Sequence, residues 1–193
     1  MNAEQLQKTL RASQYAEQVL SLHTPLLEQD FAIDQFQKSL TTSQIHSLVQ
    51  DSLLDIQNEN QWMSTLRILR ARLMFRWIWQ DANQLTDVVT LTRELSDFAD
   101  ASINAAKDFA RIPLLAKHGE PVGYGGKVQD LIVVAMGKLG AQELNLSSDI
   151  DLIFAFDEQG ETNGRKCVDV QQFCIAWGQK IIYLLEHITA DGF

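Results

Sequence analysis

Apolar residues in the first 112 positions recur at the three- and four-residue spacing of a helix. Leu6, Leu10, Tyr15 and Leu20 punctuate a polar opening segment. His23-Thr24-Pro25 breaks it, because the residue before a proline avoids helical geometry. The strongest stripe is Trp62, Leu66, Leu69, Leu73 and Trp77, spaced 4, 3, 4 and 4. A further helix is expected from Leu85 to Phe109, with Leu91, Leu95, Phe98 and Ile103 turned inward, and Ile112-Pro113 ends it.

The pattern then changes period. Residues 117–127 are dense in Gly and Pro and are the best candidate for a linker. Leu131-Ile132-Val133-Val134-Ala135-Met136 is a continuous apolar run of strand length, and it leads into a glycine turn, Gly137-Lys138-Leu139-Gly140. A short polar connector brings in a second apolar strand whose first residues carry Asp149 and Asp151. The polar stretch Asp157–Lys166 reads as a surface loop. Val170, Phe173, Cys174, Trp177, Ile181, Leu184 and Leu185 return to helical spacing. The fold class is α+β, with a helical region over 1–120 and a sheet-bearing region over 121–193. The expected sheet is mixed and flanked by helices.

Composition narrows the function classes. At 46% hydrophobic and 21% charged, the chain is ordinary for a globular protein. Its formal net charge of −9 argues against wrapping a nucleic-acid backbone, which rewards a basic surface. No apolar run has transmembrane length, and Met1-Asn2-Ala3-Glu4-Gln5 lacks the basic and apolar regions of a signal peptide. A cytoplasmic protein without nucleic-acid or membrane partners is expected. Cys167 and Cys174, seven apart, read as two small buried residues on one helix face.

Asp149 and Asp151 carry the chemistry. In a strand, residues i and i+2 project from one face with Cβ atoms roughly 6–7 Å apart. The two carboxylates therefore converge while Ile150 and Leu152 face a core. Aspartate is disfavoured in strands, so two of them opening an apolar run point to a site that tolerates local cost for function. Hard oxygen ligands suit Mg²⁺, and the backbone N–H groups of a glycine-bounded turn can receive phosphate oxygens. Asp149 and Asp151 are thus the candidate metal ligands and catalytic residues. Gly137, Lys138, Gly140 and Ser148 are the candidate nucleotide and phosphate contacts. Lys138 is equally readable as an exposed turn residue, and for Ser147 and Ser148 local backbone capping is the favoured reading. Glu143 reads either as a solvated residue or as an outer partner of the metal site.

Rival readings are weaker. Ala135–Gly140 loosely matches a dinucleotide-binding glycine pattern, with Asp157 about 20 residues on, but only eight residues separate Gly140 from Asp149. A parallel crossover needs about a dozen. Gly126-Lys127 is not a P-loop, since Pro121 stands at its first glycine and Val128 at its hydroxyl. Arg67, Arg70, Arg72 and Arg76 suggest an anion patch, although pairing with acids is the commoner use. His23, His46, His118 and His187 have no metal-ligand spacing.

The run Gly-Lys-Leu-Gly-x-x-Glu-Leu-Asn-x-Ser-Ser-Asp-Ile-Asp-Leu-Ile-Phe at 137–154 resembles the signature of the bifunctional glutamine synthetase adenylyltransferase/adenylyl-removing enzyme family. More broadly it is similar to the DNA polymerase β-like nucleotidyltransferases, from whose pattern Lys138 departs. The arginine-rich stretch from Leu66 to Asp81, the segment from Gln172 to Leu185, and Asp191-Gly192-Phe193 also resemble the family. The resemblance implies a partial polymerase β-like nucleotidyltransferase domain that uses Mg²⁺, ADP or ATP, and phosphate. It implies adenylylated glutamine synthetase as the substrate and the PII signalling protein as a regulator of the complete enzyme. The wording of 143–151 looks more like the domain that removes AMP by phosphorolysis, releasing ADP. The alternatives are the AMP-attaching domain and a non-catalytic docking module. A third carboxylate is expected on a later strand, since Asp157, Glu158, Glu161, Asp169, Glu186 and Asp191 fall in a loop or on a helix. The chain is therefore expected to be a fragment, inactive alone.

Overall fold

In the computed structural model, residues 3–32 and 36–189 are described. Five helices come first: α1 (Ala3–Ala12), α2 (Gln14–Ala32), α3 (Thr42–Leu53), α4 (Glu59–Ala82) and α5 (Val88–His118). Polar side chains set several of their starts. Thr41 forms a reciprocal capping box with Gln44, while Asn58 and Asp87 accept the backbone N–H groups of Gln61 and Thr90. The break at His23-Thr24-Pro25 is present as a kink inside α2, with His23 at φ −126° and ψ 22°.

α4 is the central helix. The predicted stripe Trp62, Leu66, Leu69, Leu73 and Trp77 is buried in the larger core, and Ala71, Phe75, Ile78 and Trp79 on its other side are buried against α1 and α2. A helix apolar on both sides has to run through the interior. The larger core extends from Ile45 on α3 to Leu184, across the junction at residue 120.

Three of the four arginines are used within the fold rather than in an anion patch. Arg72 pairs with Asp30 at 2.5 Å and Arg76 with Glu94 at 2.7 Å. Arg67, 4% exposed, donates to the carbonyls of Leu184 (2.9 Å), Leu185 (3.1 Å) and His187 (2.7 Å). It thereby satisfies the end of the last helix, α7 (Val170–Glu186), where carbonyls lack helical partners. Burial, and then the neighbouring Arg70, push the Arg67 pKa down.

Three boundaries differ from expectation. α5 does not stop at Ile112-Pro113 but continues to His118, where Gly119 caps it. Pro113 removes one helical hydrogen bond, to the Phe109 carbonyl, yet Leu114 and Leu115 beyond it still pack on the core. The expected linker and the expected loop pair with one another. β1 (Pro121–Gly123) and β4 (Gly160–Thr162) form an antiparallel ribbon in which Val122 faces Glu161. Three-residue strands are too short to display an alternation, and Gly160 is required because a Cβ there would collide with the Val122 backbone.

The sheet also differs. The α+β class holds, but among the described residues there is no single mixed sheet. A second antiparallel ribbon joins β2 (Ile132–Ala135) to β3 (Leu152–Ala155), with Ala135 opposite Leu152. One face of it, Val133, Ala135, Leu152 and Phe154, packs on the core. The other, including Ile132, Val134 and Ile153, is exposed. α7 lies under both ribbons and on α5. Its Trp177 is fully buried and donates to the Lys107 carbonyl at 2.8 Å, and Gly178 brings it against the Phe154 ring. The cysteines are not a buried pair on this helix. Cys174 is buried, whereas Cys167 precedes α7 and is exposed.

Candidate functional site

The candidate site grows from one end of the β2–β3 ribbon. β2 ends at Ala135, and Met136 N donates to the Asp151 carbonyl at 2.9 Å, one rung past the last strand pair. The chain then turns into α6 (Gly137–Gly140), so nothing remains for Asp149 and Ile150 to pair with. The two aspartates consequently lie just before β3 rather than as its first residues. The expected alternation still holds. Asp149 and Asp151 are exposed, while Ile150 and Leu152 are half-buried against the core.

The two glycines of α6 meet different demands. Gly137 has φ +55°, a left-handed conformation that side chains disfavour. A Cβ there would lie 3.5 Å from Asp151 Oδ2, so the carboxylate rests over bare backbone. Gly140 packs so closely that a Cβ would sit 2.5 Å from the Ala135 carbonyl oxygen. Lys138 and Glu143 are exposed, and Glu143 N donates to the Lys138 carbonyl.

Residues 141–148 form a hydrogen-bonded knot. Asn145 Oδ1 accepts from Ser147 N (3.2 Å), Ser147 Oγ (3.3 Å) and Ser148 Oγ (2.7 Å). Lys138 Nζ donates to Ser148 Oγ at 3.3 Å, tying α6 to the residue before Asp149. Two contacts seat the knot on α5. Leu144 N donates to Ser96 Oγ (3.1 Å), and Gln142 Nε2 to Asp100 Oδ2 (3.0 Å).

A cavity of about 610 Å³ opens beside this knot, between α4, α5, α7 and the ribbon. Ser148, Asp149 and Asp151 line it, as do Arg70 and Glu186 among largely apolar walls such as Leu66, Phe98 and Ile181. The structure therefore brings Ser148, Asp149 and Asp151 to one cavity, with Lys138 bonded to Ser148 and Gly137 beneath Asp151. Gly140 stands behind them as a packing residue. Sequence reasoning did not place Ser96, Asp100, Arg70 and Glu186 beside the site, because nothing local marks a contact across 35 residues or more.

Two carboxylates are a sparse donor set. Among the described residues no group of three or more His, Cys, Asp or Glu side chains could hold a metal ion. Asp157 and Glu161 do not reach the cavity; Glu158 binds Gly125 N at 2.8 Å, and Asp169 caps α7. Asp191 lies outside the described residues. A pair of carboxylates nevertheless fits Mg²⁺, which is usually held by one or two of them together with waters and substrate phosphates. It does not fit a metal that needs a closed protein cage.

Comparison with known proteins gives a consistent picture. The model of the glutamate-ammonia ligase adenylyltransferase family matches residues 3–193. A bifunctional glutamine synthetase adenylyltransferase/adenylyl-removing enzyme of Acinetobacter baylyi is 76% identical over 193 residues, covering all of this chain and 21% of the relative. Enzymes of the same name from Hahella chejuensis and Pseudomonas syringae pv. tomato are 42% identical over 160 residues and 38% over 184. They cover 82% and 94% of this chain and 17% and 19% of their own lengths. The chain thus spans about a fifth of the length of the curated relatives it matches.

Proposed function

The chain belongs to the glutamate-ammonia ligase adenylyltransferase family, and on that premise we propose that it carries the nucleotidyl-transfer site that removes AMP from glutamine synthetase. The single observation that supports a nucleotidyl-transfer site here is the meeting of Ser148, Asp149 and Asp151 at one cavity, next to the Lys138-bearing turn, and the direction rests on the resemblance of residues 143–151 to the removing domain.

In this reading inorganic phosphate attacks the phosphorus of the adenylyl group on a tyrosine. The new P–O bond forms as the bond to the tyrosine oxygen breaks, and ADP leaves. Asp149 and Asp151 hold Mg²⁺, which when bound offsets negative charge on the phosphoryl oxygens. Lys138 approaches the phosphates as a point charge on a flexible stem. Gly137, lacking a Cβ, leaves room at its backbone for the Asp151 carboxylate. Ser148 orients Lys138 through their hydrogen bond. The apolar walls of the cavity lower the local dielectric, which strengthens each charge contact at its mouth.

The test uses the full-length polypeptide that carries this sequence, incubated with adenylylated glutamine synthetase, phosphate and Mg²⁺. Release of ADP is expected, and the Asp149→Asn/Asp151→Asn double variant should abolish it. Transfer of AMP from ATP through this site would reverse the assigned direction. Wild-type turnover by the double variant would mean that the aspartates are not the reacting site and that this part of the chain acts by docking.

A further inference from the structure

We infer that Ser96 on α5 is a positioning residue for the chemistry at Asp149 and Asp151, although it touches neither; this rests on the reading of those carboxylates given above. Ser96 is fully buried in the middle of a long helix, where an apolar side chain would ordinarily sit. Serine is a poorer helix former than alanine there, and its hydroxyl must find partners to offset burial. It has two. The hydroxyl donates to the Thr92 carbonyl at 2.8 Å, the usual back-bond of a mid-helix serine. That bond uses its only hydrogen and leaves an oxygen lone pair for the buried N–H of Leu144 at 3.1 Å.

The second bond reaches the site. Leu144 is followed at once by Asn145, whose side chain gathers Ser147 and Ser148, and Ser148 receives Lys138. One turn along the same face of α5, Asp100 takes the Gln142 side chain. Two contacts four residues apart therefore grip the connector at 142 and 144, a few residues before the carboxylates. The interior of α5 is anchored independently, by Leu95 and Phe98 in the core. A helix held in the core thus sets where the connector delivers Asp149. A misplacement of about 1 Å at the reacting centre can cost about 100-fold even when its source lies away from the chemistry.

The experiment measures ADP release from adenylylated glutamine synthetase by the full-length polypeptide, with Mg²⁺ and phosphate. Ser96→Ala should lower kcat by about 10-fold or more, as a misplaced reacting group does, with KM for the protein substrate near the wild-type value and the helical circular dichroism intact. Asn145→Ala loosens the same knot, so adding Ser96→Ala to it should lower kcat less than Ser96→Ala does alone. Asp100→Ala changes only a partly exposed contact and should lower kcat in the same direction by less. It decides the matter should Ser96→Ala not fold. Unchanged kcat in folded Ser96→Ala, strict additivity with Asn145→Ala, or a loss that only tracks the folded fraction would overturn the role. If Asp149→Asn/Asp151→Asn abolishes turnover while Ser96→Ala does not lower it, only the positioning role falls. If that double variant keeps its rate, the underlying reading falls and the role with it.

Discussion

Glu94 offers the sharpest test of how the helical part is held. It is 2% exposed, and its carboxylate accepts from three donors: Arg76 Nη1 at 2.7 Å, Trp77 Nε1 at 2.8 Å and Leu40 N at 2.9 Å. Arg76 is itself 3% exposed and also donates to the Lys38 carbonyl. Glu94→Ala takes the Glu94 charge from a buried guanidinium and removes the acceptor of two N–H groups. Breaking a buried pair from one side costs about 3–5 kcal/mol. A chain of this length loses about 2–4 °C of Tm per kcal/mol, so a fall of about 6–20 °C is expected. Glu94→Gln keeps one acceptor oxygen but not the charge, and should lie between wild type and Glu94→Ala. Arg76→Met/Glu94→Gln removes both charges and keeps an acceptor for one of the two remaining donors, Trp77 or Leu40, so it should recover part of the loss. Urea and thermal unfolding followed by circular dichroism and tryptophan fluorescence would measure all three. A Glu94→Ala variant within about 1 kcal/mol of wild type would refute the argument, since ordinary surface substitutions alter stability by about half that.

Three further outcomes are expected. Gly140→Ala forces a Cβ against the Ala135 carbonyl and should cost about 1–3 kcal/mol, as overpacking does, read as a lower Tm; an unchanged Tm would mean that α6 shifts freely. The Cys174 thiol is pushed up to about 11 by burial and then by the nearby Asp130 charge. Iodoacetamide at pH 8 should therefore label exposed Cys167 and spare Cys174, as mass spectrometry would show. A thiol in the unfolded chain titrates near 8.5. Between about pH 8.5 and 11 the folded protein keeps a proton that the unfolded chain has lost, so this contribution to stability is full below that window and declines as pH rises through it. Wild type should lose more Tm than Cys174→Ala from pH 8 to pH 10.5, and parallel losses would count against the shift.

The helical stripe of α4, the inward positions of α5 and the apolar face of α7 were legible in the sequence because each depends on spacing along one helix. The same holds for Asp149 and Asp151 pointing away from Ile150 and Leu152, which follows from the alternation of extended backbone. Pairing was not legible in that way. A glycine-rich stretch at 117–127 and a polar one at 157–166 look like connections until β1 and β4 are side by side, because their bonds are backbone to backbone and leave no mark on side-chain pattern. Pro113 would end most helices, yet α5 passes through it because packing beyond the proline outweighs one lost bond. The arginines of α4 could be counted from the sequence, but Asp30, Glu94 and the end of α7 choose their uses from 18 to 120 residues away. The candidate site divides along the same line. Its carboxylates and glycines are local and readable, whereas the cavity they border and the grip of Ser96 and Asp100 exist only once α5 is packed beneath the connector.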